Sequence, residues 1–178
     1  FHNSSKSPIP LFNIIGENGV VKNLELSSTK SVVEKSAFGL LANQNNGSIK
    51  NINLTLNELV IKQDSIVGGL VAINNGDVSY CHISTKIINS IDKQRKQSIV
   101  SGCVGYNNGS ISSIIVSVKF EGFSGTNQNN VIQGTLNNNI GYVSGTNNKN
   151  IVSLLSCYYV SNDNYFTSDV KYMHDLHV

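Results

Sequence analysis

The sequence has few charged residues and no long apolar segment, and these shortages exclude two classes of protein. Lys, Arg, Asp and Glu make up 13% of the chain, and the formal net charge is only +2. A charge this small and this dispersed gives no electrostatic footprint for nucleic acid. No apolar run reaches the roughly 18 to 20 residues that span a bilayer, so we expect no membrane insertion.

The N-terminal segment 1–10 has neither the charged region nor the apolar region of a signal peptide. The chain begins at Phe1 rather than Met. We therefore expect it to be a piece of a longer protein, whose targeting signal would lie upstream.

Cysteine is also scarce, and the three that occur form no C-x-x-C pair: Cys81, Cys103 and Cys157. Their odd number and their spacing favour neither a zinc site nor a disulfide framework. Each lies in or beside an apolar alternation, so we expect buried small side chains. One disulfide remains an open alternative if two of these cysteines stack in adjacent layers.

Uncharged polar residues fill the chain instead. Apolar residues make up 39% of its 178 positions, and Ile and Val dominate that fraction, while Asn, Ser and Thr supply most of the rest. Asn, Ser and Gly favour turns over helices, and the β-branched residues favour strands. The composition predicts one all-β domain.

An internal repeat organises the chain. Alignment on an Asn-Gly step places four glycines in one turn column, at spacings of 28, 29 and 33 residues: Gly19, Gly47, Gly76 and Gly109. A degenerate fifth copy has Asn148 and Lys149 at this step. Interior positions are predicted from the apolar residues that follow each glycine, such as Val78, Cys81 and Ile83.

A second glycine register lies upstream of the Asn-Gly step. Its members are Gly39, Gly69, Gly102 and Gly141. Each of them is followed by two apolar residues and then a small residue. Glycine at the same position of each repeat predicts a tight corner in every copy, because such a corner leaves no room for a large side chain.

The apolar residues alternate in stretches such as 116–120, which is the period of a half-buried strand. One repeat cannot bury its apolar face alone, so the copies must stack about 4.8 Å apart. A propeller blade needs about 40 residues, more than the observed period. We therefore predict a parallel β-helix, or β-solenoid, of about four to five coils with one repeat per coil.

The asparagines of the Asn-Gly steps form a further column. Asn-Gly tolerates positive φ, and identical asparagines in successive coils can form a hydrogen-bonded ladder. The predicted ladder contains Asn46, Asn75, Asn108 and Asn148. We also expect Asn74, together with Asn75, to join a turn ladder. The alternative is a set of exposed turns without a ladder.

Two irregular stretches lengthen the connections, "NSIDKQRKQS" from Asn89 and "GTNQNNVIQGTLNNN" from Gly125. Insertions in solenoids map to one face, which is often the binding face. The predicted partner-facing residues are Asp92, Lys93, Arg95, Lys96, Asn127, Asn129 and Asn130. The alternative is that both stretches are plain solvated loops.

Three segments carry the repeat best: "GLLANQNNGSIKNINL", "GGLVAINNGDVSYCHI" and "SGCVGYNNGSISSIIV". Their pattern resembles the GLUG-motif repeat of bacterial adhesin-like and surface proteins. The opening "PLFNIIGENGVVKNLELS" is similar to the first-coil variant of that family, and "LLSCYYVSNDN" resembles its usual ending. The resemblance covers roughly residues 10 to 165.

The resemblance implies an extracellular, surface-attached or secreted repeat region, as in filamentous haemagglutinin relatives and some IgA-specific metalloproteases. The repeat is not known as a catalytic unit, so it implies no active-site residues. We divide the chain into an N-terminal extension or cap (1–10), the repeats (11–165) and a C-terminal extension or cap (166–178).

Enzymatic chemistry must still be weighed, because many parallel β-helices cleave polysaccharides with converging carboxylates. The candidate carboxylates fall at unrelated positions of the repeat: Asp64, Asp77, Asp92 and Glu121. Near the end, "HDLH" supplies His174, Asp175 and His177, but the metalloprotease signature H-E-x-x-H is absent. We interpret it as a solvated tail, expect His82 to point outward, and predict no catalytic residue, metal or cofactor.

The sequence therefore predicts a noncatalytic extracellular module of a larger surface or secreted protein, serving as an adhesin stalk or binding surface. Its partner would be a host glycan or protein, or neighbouring domains of the same polypeptide. The alternatives are a structural subunit of a filament or coat and a polysaccharide-active β-helix enzyme.

Overall fold

A computed structural model of the chain describes residues 9–90 and 98–122 in full and, between 125 and 172, the backbone of short strands. Within these residues every regular element is a β-strand and none is a helix. Parallel strands stack as a β-solenoid of about four turns. The predicted all-β, parallel β-helix fold is confirmed.

Sheets A and C form two sides of the solenoid. Sheet A contains β1 (Phe12–Ile15), β5 (Ala42–Asn45), β8 (Val71–Asn74), β12 (Val104–Asn107) and β18 (Ser144–Asn147), in that order. Sheet C contains β4 (Ala37–Phe38), β7 (Ile66–Gly68), β11 (Ile99–Ser101) and β17 (Ile140–Gly141). In both sheets each strand pairs with the strand one repeat away.

Sheet B forms the longest side. Its strands are β2 (Val20–Ser28), β3 (Ser31–Val33), β6 (Ser48–Ile61), β9 (Asp77–Ser79), β10 (His82–Asn89), β13 (Ser110–Ser112), β14 (Ile115–Glu121), β19 (Leu154–Leu155), β20 (Tyr158–Val160) and β21 (Lys171–Tyr172). A separate antiparallel pair, β15 (Gly125–Thr126) with β16 (Val131–Ile132), lies within the second predicted insertion.

A single coil passes through the three sheets in a fixed order. The chain follows β7 in sheet C, β8 in sheet A, and then β9 and β10 in sheet B, and the next repeat does the same from β11 to β14. Val78 lies opposite Ile111, and Ile83 lies opposite Val116. Each repeat therefore forms one coil, and equivalent residues of successive repeats stack as columns.

The core fills the inside of the coils. Its most regular columns are Ile49, Val78 and Ile111; Ile52, Cys81 and Ile114; and Leu54, Ile83 and Val116, all 2% exposed or less. The predicted interior positions Val78, Cys81 and Ile83 are confirmed. Full burial of such aliphatic side chains stabilises the fold by about 1.5–3 kcal/mol each.

The first coil is the least buried. Val21, Leu24 and Leu26 are only half-buried because no further coil covers them within the described residues. Exposed apolar side chains of the same region are Ile9, Leu11, Phe12, Ile14 and Val20. Residues 1–8 and 166–170, which belong to the predicted caps, lie outside the described residues.

The predicted corner register is wrong by one residue in two repeats. Gly68, Ser101 and Gly141 lie opposite one another, whereas Gly69 and Gly102 fall one position later. The backbone requires the same number of residues from this corner to the Asn-Gly step in every coil. Sequence alignment chose the second residue of the pairs Gly68-Gly69 and Ser101-Gly102, whereas the first residue of each pair occupies the corner.

The turn glycines are needed because successive coils lie too close together for a side chain, and not because the turn has positive φ. This corrects the predicted role of the Asn-Gly step. Among the described residues the only glycine with positive φ is Gly122. A Cβ on Gly76 would collide with the carbonyl oxygen of Gly47, and one on Gly109 would collide with that of Gly76. These carbonyls accept hydrogen bonds from Asp77 N and Ser110 N, so the neighbouring backbone cannot move aside.

Candidate functional site

The turn between sheets A and B contains an inner ladder of asparagines, defined as Asn45, Asn74 and Asn107. All three are 0% exposed. Asn45 Nδ2 donates to Asn74 Oδ1 at 2.7 Å, and Asn74 Nδ2 donates to Asn107 Oδ1 at 2.8 Å. The ladder satisfies buried amides that would otherwise cost about 1–3 kcal/mol each.

The inner ladder also holds the turn itself. Asn45 Oδ1 accepts a hydrogen bond from Gly47 N at 3.1 Å, and Asn107 Oδ1 accepts one from Gly109 N at 3.2 Å. Each asparagine thus bonds along its own turn and to the next coil. The repeated triplet Asn-Asn-Gly could have revealed this ladder, but only Asn74 among its members was placed at the turn from sequence.

The structure places Asn46, Asn75 and Asn108, three of the predicted ladder residues, in an outer ladder beside the inner one. Asn75 Nδ2 donates to Asn46 Oδ1 at 2.8 Å, and Asn108 Nδ2 donates to Asn75 Oδ1 at 3.0 Å, both exposed. Each amide of the outer ladder donates toward the first coil, and each amide of the inner ladder donates toward the last coil. The amide dipoles of the two ladders therefore point in opposite directions. Asn148 lies outside the described residues.

A left-handed column lies four residues beyond the turn glycines. Its members share φ between 52° and 59°: Asn23, Asn51, Tyr80 and Ser113. Tyr80 separates β9 from β10 and Ser113 separates β13 from β14, whereas β2 and β6 continue through Asn23 and Asn51. Asn51 Nδ2 donates to Asn23 Oδ1 at 2.8 Å, so the column carries another exposed amide bond.

The outside of sheet B is a polar face. It carries a column of hydroxyls, Ser27, Thr55, Ser84 and Ser117, whose Cα positions are in register. A neighbouring column contains Glu25, Asn53 and His82. Asn53 and His82 are both exposed, so the prediction that His82 points outward is confirmed.

A charged ladder follows the hydroxyl column in the strand direction on this polar face. The charged ladder is defined as Lys30, Glu58, Lys86, Glu121 and Lys119. The Lys30 Nζ to Glu58 Oε2 distance is 3.1 Å, and Lys86 Nζ lies 3.9 Å from Glu58 Oε1 and 2.9 Å from Glu121 Oε2. Lys119 Nζ lies 2.9 Å from Glu121 Oε1. Hydrogen bonds from Lys86 and then Lys119 hold the pKa of Glu121 below its usual range.

The two described cysteines, Cys81 and Cys103, are buried and do not form the alternative disulfide with each other. Burial raises the pKa of the Cys81 thiol to about 11, although backbone hydrogen bonds partly offset this. Its Sγ donates to Ser79 O at 3.2 Å. The thiol is therefore a packed core group, while Cys157 lies outside the described residues.

Two of the candidate carboxylates, Asp77 and Glu121, bond to neighbouring side chains. Asp77 accepts a hydrogen bond from Ser110 Oγ, and Glu121 pairs with lysines. Within residues 9–90 and 98–122, no three His, Cys, Asp or Glu side chains come together as a metal site. In the same part of the chain, no helix has the length and apolarity needed to cross a membrane.

Several predicted positions cannot be placed against this surface. The partner-facing residues Asp92, Lys93, Arg95, Lys96, Asn127, Asn129 and Asn130 lie outside the described residues. So do His174, Asp175 and His177 of the C-terminal tail. The surface that the structure does define consists of the outer ladder, the left-handed column and the polar face.

Comparison of the chain with protein-family models, with curated proteins and with solved structures finds no match.

Proposed function

We propose that the chain is a noncatalytic β-solenoid module of a larger surface or secreted protein, located outside the cell or on its surface, where it serves as a stalk or binding surface. The resemblance of its repeats to the GLUG motif supports this proposal. No active-site residues come with that motif. The proposed ligand is a host glycan or protein.

The observation that carries the proposal is the register of uncharged polar side chains over successive coils. Asn46, Asn75 and Asn108 are linked in one line, and the hydroxyl column runs parallel to it along sheet B. Equivalent groups recur about 4.8 Å apart. Repeated weak contacts to an extended ligand would add up through effective concentration.

The rigidity that a stalk requires has a separate source. The inner ladder and the apolar columns join each coil to the next inside the solenoid. A surface supported in this way loses little conformational entropy when it binds.

The proposal is tested by screening the full chain on arrays of glycans and of matrix proteins, with hits confirmed by calorimetry. Saturable binding that a heat-unfolded sample lacks is the expected result. A chain that binds nothing on either array and releases no reducing ends from polysaccharides would leave only the stalk role. Release of reducing ends would contradict the proposal and favour the polysaccharide-active alternative.

A second candidate function is a structural subunit of a filament or coat. It is favoured by the exposed apolar side chains of the first coil, which include Phe12, Ile14 and Val20. Unpaired strand edges are templates for association. Light scattering over a concentration series tests it, since a constant monomer mass would exclude an assembly of this chain alone.

A further inference from the structure

Tyr80 occupies a backbone conformation that its residue type disfavours. Its φ is 55°, whereas two of the three equivalent positions carry asparagine: Asn23 and Asn51. Asn adopts left-handed φ readily because its short polar side chain bonds locally, but a bulky residue there is an outlier. Tyrosine is therefore the costly member of the left-handed column.

Packing does not offset this cost. Tyr80 is 67% exposed, the highest value among the large hydrophobic residues that the structure describes. Its backbone N donates to Ser112 O at 3.1 Å, a bond that any residue other than proline would make. Strained residues that the fold does not need are concentrated at functional sites.

The groups around Tyr80 define the chemistry of a ligand. Asn51 precedes Tyr80 by one coil in the left-handed column, and His82 lies two residues further along the same coil. Asn53 lies opposite His82 on the adjacent strand. Asn51, Asn53 and His82 are all exposed, so the exposed Tyr80 shares this part of the surface with hydrogen-bonding residues, two of which carry uncharged amides.

We propose that Tyr80 is the stacking residue of a site for a neutral glycan, with Asn51, Asn53 and His82 as its polar partners. The C–H face of a sugar ring packs on the phenol ring, and the amides and imidazole bond its hydroxyls. Tyrosine suits this role because it is a rigid amphipathic contact residue. The inference rests on the proposed binding function and names its ligand class.

The test uses the full chain and the strongest neutral oligosaccharide from a glycan array. Tyr80→Asn places the residue of the two preceding coils in the column, and Tyr80→Phe keeps the ring. We expect Tyr80→Asn to weaken binding by roughly tenfold or more and Tyr80→Phe to stay within a few-fold of the native affinity. Tyr80→Asn should also raise the melting temperature, because asparagine relieves the strain.

The outcomes separate this inference from the proposed function. If the native chain binds a glycan and Tyr80→Asn binds it equally well, the Tyr80 site is overturned while the binding function stands. If the native chain binds only a matrix protein, the glycan site is overturned and the binding function again stands. If it binds neither ligand, the Tyr80 site and the binding function are both overturned, and only the stalk role remains. A lower melting temperature for Tyr80→Asn would contradict the argument from strain.

Discussion

Single residues in this solenoid are constrained mainly by the neighbouring coil. The turn glycines do not have positive φ, and at Gly47, Gly76 and Gly109 a side chain is excluded by a carbonyl oxygen one coil away. The same closeness explains why an amide at the preceding position can reach its equivalent in the adjacent coil. Residue identity here depends on stacking more than on local conformation.

Gly76→Ala tests the contact between coils. The new Cβ would collide with Gly47 O, which is fixed by its bond from Asp77 N. We expect a loss of about 1–3 kcal/mol in the free energy of unfolding, measured by urea denaturation. The matched control is Gly16→Ala, since nothing lies within 4 Å of a Cβ at Gly16, and it should change stability by no more than about 0.5 kcal/mol. Equal effects of the two substitutions would contradict the stated role of Gly76.

The two asparagine ladders should differ in energetic weight. Asn74→Ala removes the partner of a buried amide, that of Asn45, and should cost about 1–3 kcal/mol of unfolding free energy. Asn75→Ala removes an exposed bond to Asn46, and water can replace it, so its cost should stay below about 1 kcal/mol. Thermal and urea unfolding measure both. A larger loss for Asn75→Ala would show that the buried ladder is not the structural one.

Among the structural elements, sheet B combines a regular interior with an irregular edge. Its inward columns stay in register from Leu54 through Ile83 to Val116. Beyond them a register shift between Thr85 and Ile87 brings Glu58 of β6 within reach of Lys86. The contact between Glu58 and Lys86 therefore depends on a β-bulge that changes which residues are neighbours.

The pH dependence of Glu121 tests the charged ladder. Because its pKa is lowered in the folded state, its ion pairs stabilise the fold above the ordinary pKa of glutamate, and that contribution is lost as the pH falls through the lowered value. NMR titration should give a Glu121 midpoint below the usual range, and Lys86→Gln should raise it.

Melting temperatures provide a second test of the charged ladder. The difference between the native chain and Glu121→Gln should be small, screened by salt, and absent at low pH. Glu25→Gln is the control, because Glu25 has no ion pair among the described residues. A normal Glu121 midpoint, unaffected by Lys86→Gln, would contradict the pairing.

The sequence predicted those elements whose residue type is repeated, and it missed those whose position depends on geometry alone. The apolar period and the Asn-Gly steps are visible because stacking demands the same chemistry in every coil. The left-handed column was missed since its members, Asn, Asn, Tyr and Ser, share a φ value and no chemistry. The charged ladder was missed because alignment on the turn glycines does not account for the bulge at Thr85.

At the scale of the whole molecule, the solenoid behaves as a one-dimensional stack in which each coil contacts its neighbours. Its stability is then a sum of coil and interface contributions. The first coil, with half-buried Val21, Leu24 and Leu26, should open before the coils around Leu54 and Ile83. The binding surface proposed around Tyr80 lies on the better-packed part of the stack.

The claim that one repeat forms one parallel coil is central, and engineered disulfides test it most directly. Ser84 and Ser117 lie opposite each other in the hydroxyl column. With the native cysteines replaced by alanine, Ser84→Cys combined with Ser117→Cys should oxidise to a disulfide, because neighbouring parallel strands bring the two Cα atoms within bonding range.

The control pair is Ser84→Cys with Lys119→Cys, which is also on the exposed face but displaced by two residues along the strand, beyond the roughly 7 Å limit for a disulfide. Mass spectrometry of the alkylated, digested protein measures both pairs. We predict near-complete crosslinking of 84 with 117 and little of 84 with 119. The reverse order, or no crosslink in either pair, would contradict the coil register on which the proposed function depends.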